Sequence, residues 1–285
     1  MKRKFPPTVL KLLMIWYKHS IVTVRWNMSY SHTFALTAGV RQGGVLSPIL
    51  FCVYIDDVVK QLELSRMGCW VGGCYLGCIL YADDLILMSP SVCDLQRMVN
   101  VCVNEFSNCD MHINASKCAV LRIGPRFSKY CADICIQGLP SVAYCDKTKY
   151  LGVMLRSSVK FSVDLSYMKT KFYRAFNSLF HKSSKFKDEL VILQLISAYC
   201  KPHLLYATEC LGMSVTQMRS LKNTWQCAVS HLFHVTGAAV QFICSVTDNS
   251  SLDVAIIDKR IRFLEHLKLN SHHDILFSLY MRVGL

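Results

Sequence analysis

Two adjacent carboxylates interrupt an otherwise apolar stretch in the first third of the chain. Asp83 and Asp84 come after the apolar run 78–80 and Tyr81, and the apolar run 85–88 follows them. Short apolar runs of this kind favour buried strands, and a turn at Asp83 would project one carboxylate toward each side of a shared opening. Carboxylate oxygens are ligands that Mg²⁺ and Mn²⁺ prefer. The pattern predicts a hairpin tip that carries metal ligands; a solvated acidic loop is the alternative on this stretch alone.

A glycine-rich basic segment lies upstream, at residues 39–48, and leads into a second apolar run. Its glycines let the backbone approach a ligand closely, and Arg41 and Gln42 offer several hydrogen-bond donors. Ser47 and Pro48 suit the cap and the first turn of a helix. The segment predicts a loop that holds a nucleotide or a nucleic-acid strand in front of a helix. An ordinary turn before a core helix is the alternative.

A second string of an aromatic residue, any residue and two aspartates occurs at residues 54–57. Apolar residues recur through it at helical spacing, at Leu50, Tyr54, Val58 and Leu62. This spacing predicts that Asp56 and Asp57 lie on or beside the polar face of the helix that begins near Pro48. We therefore assign these two aspartates a structural role.

Together these motifs resemble the palm of reverse transcriptases, most closely those encoded by non-LTR (LINE-type) retrotransposons. Residues 39–48 are similar to the family's loop and helix segment, and residues 81–84 are similar to its catalytic YxDD box. Two further segments follow in the family's order. Residues 113–118 are similar to the segment whose lysine, here Lys117, sits near the incoming triphosphate. Residues 150–152 are similar to the hairpin that grips the primer end.

The resemblance implies an RNA-directed DNA polymerase (reverse transcriptase) domain of a retrotransposon. Its partners would be an RNA template, a DNA primer and deoxynucleoside triphosphates, and its cofactor would be Mg²⁺ or Mn²⁺. In the two-metal mechanism, Asp83 would coordinate metal, Asp84 would help to hold it, and Lys117 would neutralise or protonate phosphate oxygens. The residues that would line the nucleotide and template side are Arg41, Gln42, Gly43, Tyr81 and Ala82. The residues that would position the primer are Tyr150, Leu151 and Gly152.

The N-terminal part of the chain departs from the family. Its first 55 residues contain no aspartate or glutamate, so Asp56 is the first carboxylate. The family completes its metal site with a further aspartate on a strand before the glycine-rich loop, which has no counterpart here. We therefore expect a chain truncated at its N-terminus, without the fingers and the first palm strand, and impaired in activity. Two alternatives stay open: a non-catalytic nucleic-acid-binding remnant of a transposable element, and a half-enzyme that a partner chain completes.

Composition favours a nucleic-acid partner inside the cell. The 32 lysines and arginines exceed the 19 acidic residues, and the resulting net charge of +13 attracts phosphates whatever the base sequence. The 15 cysteines are an odd number, in a long chain without a secretory signal. This predicts reduced thiols and a location in the cytoplasm or nucleus, not secretion. No run of 18 apolar residues occurs, so no membrane span is predicted.

Two groups of cysteine and histidine were considered as zinc ligands. Neither the group of Cys69, Cys74 and Cys78 nor the group of Cys227, His231 and His234 makes a complete set of four ligands. Buried thiols and core histidines are therefore expected at these positions.

The predicted fold class is α+β, in two regions. Residues 1–155 are predicted to form a partial polymerase palm, an antiparallel sheet with helices, in which the hairpin of residues 79–88 lies at the sheet centre. Its other predicted elements are helices at 8–18, from 48 to about 64 and at 94–106, and a strand at 21–25. Residues 156–285 are predicted to form a mostly helical, thumb-like region with helices around 172–180, at 190–199 and at 218–233, the second of them ended by Pro202. The basic side chains that would face a nucleic-acid backbone there are Lys169, Lys171, Arg174, Lys182, Lys185 and Lys187.

Overall fold

The computed structural model of the protein describes residues 6–37, 39, 43–183, 188–247 and 251–269. Helices and short strands alternate as far as residue 163, and the described residues beyond 165 are mostly helical. This mixture confirms the α+β fold class. Lys185 and Lys187 lie outside the described residues.

The N-terminal helix, α1 (Pro7–Lys18), has nearly the predicted bounds. Four two-residue strands follow it: β1 (Ile21–Val22), β2 (Arg25–Trp26), β3 (Ser29–Tyr30) and β4 (Phe34–Ala35). β1 pairs with β4, and β2 pairs with β3, both antiparallel. The strand predicted at 21–25 is therefore present in two pieces, interrupted at residues 23 and 24, because β1 and β2 pair with different strands.

Two long helices dominate the first half of the chain. α2 (Ser47–Leu64) begins one residue before the predicted Pro48, and Pro48 lies in its first turn as predicted; the predicted cap is wrong, because Leu46 and not Ser47 is the N-cap. Between it and the next long helix, the chain forms two hairpins, one of β5 (Trp70–Val71) with β6 (Cys74–Tyr75) and one of β7 (Cys78–Tyr81) with β8 (Asp84–Leu87). The second long helix is α3 (Val92–Asn108), whose N-cap Ser91 accepts a hydrogen bond from the Asp94 N–H at 3.4 Å. α2 and α3 pack along each other.

The β7–β8 hairpin packs one face on these two helices. The core of this contact is formed by the buried residues Val58, Leu62, Met98 and Cys102, against which pack Cys78, Leu85 and Leu87. Because side chains alternate between the two faces of a strand, Ile79 and Tyr81 point the other way and are 44% and 63% exposed. The hairpin is thus apolar on one side and open to solvent on the other.

The inner face of α2 differs from the prediction at one position. Val58 and Leu62 are buried as expected, but Tyr54 is exposed, and Ile55 is buried in its place. The Tyr54 hydroxyl donates a hydrogen bond to the Cys109 carbonyl at 2.9 Å, at the end of α3. The phenol therefore joins the two helices at their edge instead of filling their interface.

The predicted central position of the carboxylate hairpin is also wrong. Among the described residues, β7 and β8 form a two-stranded sheet of their own, and the other strands belong to separate sheets of two or three strands. The helices cover only one face of the hairpin, and no described strand pairs with either of its edges. Its position depends on helix packing and not on a wider sheet.

After α3 the chain continues with a short 3₁₀ turn (Ala115–Lys117). The next strands, β9 (Val120–Leu121) and β10 (Tyr144–Cys145), pair in parallel. An antiparallel sheet follows, in the order β11 (Lys147–Tyr150), β12 (Val153–Arg156) and β13 (Ser162–Val163). Val153 and Leu155 of β12 pack against the helical core that follows. The boundary between residues 155 and 156 stays a prediction.

That core is built by six described helices: α4 (Ser166–Ser183), α5 (Glu189–Tyr199), α6 (Lys201–Leu205), α7 (Val215–Phe233), α8 (Ala238–Val246) and α9 (Leu252–Leu269). Its largest fully buried side chains are Phe172 and Trp225, whose ring centroids are 6.4 Å apart. The helices predicted around 172–180, at 190–199 and at 218–233 are confirmed as α4, α5 and α7. Pro202 lies in the first turn of α6, just after α5 ends.

No single described helix is long and apolar enough to cross a membrane; α7 and α8 reach that length and composition only as a pair, across a bend of 88°.

The β11–β12 turn is held by a contact from the helical region. Leu151 and Gly152 both have positive φ, 41° and 81°. The Tyr206 hydroxyl, just after α6, donates a hydrogen bond to the Leu151 carbonyl at 2.7 Å. A methyl group on Gly152 would lie 3.0 Å from Cε1 of the same tyrosine.

Replacing Gly152 with alanine should therefore cost more stability than the same change at an open turn. Gly138 is the matched control, because its φ is 76° and nothing lies within 4 Å of an added methyl group. We expect Gly138→Ala to lower the free energy of unfolding by about 1 kcal/mol through backbone strain. Gly152→Ala should cost about 1 kcal/mol more through crowding of Tyr206. Equal losses in urea unfolding would contradict the contact.

Candidate functional site

The carboxylate hairpin has a two-residue tip. Cys78 pairs with Leu87 and Tyr81 with Asp84, which leaves Ala82 and Asp83 as the turn. The predicted hairpin tip is thus confirmed. Tyr81 and Asp84 lie opposite each other on the face that points away from α2 and α3, and both carboxylates are exposed. No ion pair of Asp83 or Asp84 is recorded among the described residues, so their oxygens are open to a ligand.

Ala82 holds a strained conformation at this tip. Its φ is 52°, in the left-handed region that residues with a Cβ seldom adopt. The strain sits next to the carboxylates, where the hydrogen bonds of the flanking strands and their packing on the helices fix the turn. Strained backbone of this kind is a common feature of functional sites.

The structure brings Asp84 close to a residue of another predicted motif. Burial raises the pKa of Tyr150, and the negative charge of Asp84 raises it further. The Tyr150 hydroxyl is buried and has no hydrogen-bond partner among the described residues. Two motifs 66 positions apart in the sequence are therefore near enough for the charge of Asp84 to act on Tyr150, at the end of β11.

The remaining residues predicted for the site stand apart or are not described. Lys117 ends the 3₁₀ turn as an exposed side chain, and no recorded contact joins it to Asp83 or Asp84. Residues 112–116 beside it line an open cavity of about 760 Å³. Gly43 has a φ of 79° with open space around it. Arg41 and Gln42 lie outside the described residues.

The second aspartate pair is placed as predicted. Asp56 and Asp57 lie on α2, and Lys60 on the same helix pairs with them at 2.5 and 3.7 Å. These carboxylates belong to a helix surface, in contrast to the hairpin pair.

The predicted burial of the two cysteine and histidine groups is wrong: Cys69, Cys74 and Cys78 are half-buried, and Cys227, His231 and His234 are exposed, because their helix and hairpin faces are not covered by other described elements. All 15 cysteines are described and free. Burial raises the pKa of Cys78 to about 11 and that of Cys102 to about 12, so both stay protonated at neutral pH. His231 packs on Phe180, with ring centroids 4.9 Å apart. The described residues contain no group of three or more histidine, cysteine or acidic side chains that suits a metal ion.

This result also bears on Mg²⁺ and Mn²⁺. Two exposed carboxylates have the right donor atoms for such ions. Two-metal catalysis needs carboxylates from different strands, however, and the described residues supply only the pair on one hairpin. The described ligands therefore do not fit a complete two-metal site.

Sequence reasoning missed Tyr206, which holds the backbone of the predicted primer hairpin. It lies 55 positions from Leu151, and no local pattern marks it as a partner of that turn. The only sequence signal was its position after Pro202, where the chain was expected to leave a helix.

Substituting glycine for Ala82 should stabilise the protein. The change relieves the positive φ, which outweighs the greater freedom of glycine in the unfolded chain, and we expect a gain of about 0.5 kcal/mol. Ala143→Gly is the matched control, since Ala143 is exposed and has no positive φ. That control should lose about 0.5–1 kcal/mol in urea unfolding. Losses in both variants would show that the turn is not strained as described.

Comparison with known proteins identifies the family. Residues 2–155 match the family described as "Reverse transcriptase (RNA-dependent DNA polymerase)". The chain is 31% identical over 130 residues to the "Retrovirus-related Pol polyprotein from type-2 retrotransposable element R2DM" of Drosophila melanogaster, covering 43% of this chain and 12% of that protein. It is 24% identical over 298 residues to the "RNA-directed DNA polymerase from mobile element jockey" of Drosophila funebris, covering 100% of this chain and 31% of that protein.

A third relative is the "Retrovirus-related Pol polyprotein from type-1 retrotransposable element R2" of Nasonia vitripennis. It is 25% identical over 166 residues, which cover 55% of this chain and 16% of the relative. The chain thus spans less than a third of the length of these relatives. The family match covers more than half of the chain and contains both the carboxylate hairpin and Tyr150. The chain therefore belongs to the reverse transcriptase family, as the reverse transcriptase domain of a LINE-type retrotransposon element.

Proposed function

We propose that this chain binds a template–primer duplex and presents Asp83 and Asp84 to the primer end, as part of an RNA-directed DNA polymerase. One observation carries the proposal: the strained two-residue tip exposes both carboxylates, and the charge of Asp84 reaches Tyr150, at the start of the β11–β12 turn. The substrates are an RNA template, a DNA primer and deoxynucleoside triphosphates. The net charge of +13 supports a polyanionic partner.

In this proposal the two regions have different tasks. Residues 1–155 act as a partial palm, with Tyr81 and Ala82 beside the nucleotide and Lys117 toward its phosphates. Residues 150–152 position the primer end. Residues 156–285 act as the thumb, which covers the duplex. The hydrogen bond from Tyr206 to Leu151 supports this division, since it ties the primer turn to the helical region.

The chain on its own is proposed to be a poor catalyst. Asp83 and Asp84 would hold Mg²⁺ or Mn²⁺. When bound, such ions stabilise the attacking oxygen of the primer and the leaving oxygen of the nucleotide. A single pair of carboxylates holds two such ions poorly, because no third acidic ligand joins them among the described residues. Duplex binding does not depend on those ligands and is retained.

A second candidate function follows from the same observation. A chain without a complete metal site can act as a nucleic-acid-binding remnant of a transposable element. A partner chain that supplies the missing carboxylate would instead restore catalysis. In both cases the chain alone incorporates no nucleotides, whereas a complete polymerase would.

Primer extension on an RNA template with Mg²⁺ or Mn²⁺ tests whether the chain alone is a complete polymerase. The parent chain is compared with Asp83→Asn and with Asp57→Asn, a matched control in the second aspartate pair on α2. We expect no incorporation above background by any of the three, with duplex binding intact, because the metal ligands are incomplete.

Incorporation by the parent chain and by Asp57→Asn, but not by Asp83→Asn, would confirm Asp83 as catalytic and contradict the incomplete site. Incorporation that survives Asp83→Asn would contradict the assignment of the catalytic hairpin. A parent chain that is folded but does not bind the duplex would overturn the proposed function itself.

A further inference from the structure

The first described residues of the chain form a unit with almost no interior. Of residues 6–37, only Ser20 is buried. The helix α1 (Pro7–Lys18) contains no buried residue, although most of its side chains are apolar. A helix that is apolar on nearly all sides is normally enclosed by other protein. Within the described part of the chain, α1 is therefore left largely uncovered.

Hydrogen bonds join α1 to the strands that follow it. The Ser20 hydroxyl donates a hydrogen bond to the Trp16 carbonyl at 3.1 Å, and the Leu36 N–H donates one to the Ser20 carbonyl at 2.9 Å. Between the β1–β4 and β2–β3 pairs, the Ser31 N–H donates a hydrogen bond to the Val24 carbonyl at 2.9 Å. The four short strands thus form one long hairpin, whose base is attached to the end of α1.

This unit presents large apolar side chains to solvent. On α1, Leu12, Ile15 and Trp16 share one stripe, because they are spaced by three and four residues. On the hairpin, Ile21 and Trp26 belong to β1 and β2. All five side chains are more than half exposed, and we call them the N-terminal apolar face. Exposed apolar surface concentrated in one unit marks an interaction site.

The charges around this face indicate the chemistry of a partner. Residues 6–37 contain Lys11, Lys18 and Arg25 and no aspartate or glutamate. Ile15 comes four residues after Lys11 and three before Lys18, so both lysines border the apolar stripe of α1. A complementary surface is therefore acidic at its rim. A second copy of the chain fits poorly, because it would bring a further net charge of +13.

The aliphatic part of the face favours a polypeptide over a nucleic acid. A nucleic acid is also acidic, but its bases stack on rings, which only Trp16 and Trp26 offer here. Leu12, Ile15 and Ile21 are branched aliphatic side chains, which base stacking does not cover. The side chains of a polypeptide pack on both kinds of surface.

We propose that the N-terminal apolar face binds an acidic polypeptide segment. Apolar side chains of that segment pack on Leu12, Ile15 and Trp16, and its aspartates or glutamates lie beside Lys11 and Lys18. The inference goes beyond the proposed function and does not depend on it, because it involves neither the carboxylate hairpin nor a template–primer duplex.

The test uses a synthetic helical peptide of about 20 residues, with leucines along one stripe and glutamates elsewhere. Fluorescence anisotropy of the labelled peptide measures its binding to the full chain. A second peptide carries lysine in place of every glutamate. The chain is compared with Leu12→Ser/Ile15→Ser and with Val254→Ser/Ile257→Ser, a matched control at exposed apolar positions on α9. Circular dichroism and the urea midpoint check that each variant is folded.

We expect the glutamate peptide to bind the parent chain and the α9 control with similar affinity. Its affinity for Leu12→Ser/Ile15→Ser should fall at least about tenfold, because two apolar contacts are lost. Lys11→Gln/Lys18→Gln should weaken binding about threefold to tenfold at low salt and make it less sensitive to salt. The lysine peptide should bind the parent chain at least about tenfold more weakly than the glutamate peptide.

Absence of binding by the glutamate peptide would overturn the proposal, and so would equal affinity of the two peptides. Equal weakening in the two serine variants would overturn it as well, because binding would then not be specific to this face. Sedimentation equilibrium and single-stranded RNA binding test the other occupants. A dimer of the parent chain, or an affinity for RNA, that is lost in Leu12→Ser/Ile15→Ser but not in the α9 control would assign the face to that occupant and overturn the proposal.

Discussion

Packing of the β7–β8 hairpin on α2 and α3 is the contact on which the candidate site depends. The hairpin has no neighbouring strand among the described residues, so its orientation is set by the apolar side chains that face Val58 and Met98. Each fully buried side chain of this kind contributes about 2 kcal/mol, more than an exposed ion pair would. Alternation along the strands then turns Asp84 outward. The free energy of apolar burial thus fixes where the carboxylates stand.

The part of the site that contains Tyr150 is held in position by the helical core. Val153 and Leu155 anchor β12 on that core, and Tyr206 holds the turn before it by its hydrogen bond to Leu151. Tyr150, which feels the charge of Asp84, therefore lies on an element with a different support from that of the hairpin. The carboxylates and Tyr150 thus depend on two separate supports, the α2–α3 pair and the helical core.

Much of this could be predicted from local sequence. The hairpin tip follows from apolar runs around Asp83, and the start of α2 follows from Pro48, which lies in its first turn. The N-cap of α3 follows from Ser91, which can bond its own helix. Each of these depends on interactions between residues close in the chain. The family resemblance was likewise carried by short motifs, and the match over residues 2–155 confirms it.

Other features depend on contacts between distant residues and could not be predicted. Helical spacing alone did not separate Tyr54 from Ile55, because both lie near the same stripe and only α3 decides which is buried. The width of each sheet depends on partner strands, which no local pattern specifies. The approach of Lys149 to Tyr167 joins a strand to a helix 18 positions later. Such pairs appear only when the packing is known.

The pKa of Tyr150 tests most directly whether the carboxylate hairpin and the β11–β12 hairpin lie close to each other. Tyrosine ¹³Cζ NMR titration, with the Tyr150 signal assigned through Tyr150→Phe, is performed on the parent chain, Asp84→Asn and the control Asp57→Asn. The account predicts that removing the Asp84 charge lowers the pKa of Tyr150, although burial still keeps it above the ordinary value. Asp57→Asn should leave it unchanged. An equal pKa in all three proteins would contradict the meeting of the two hairpins at one site.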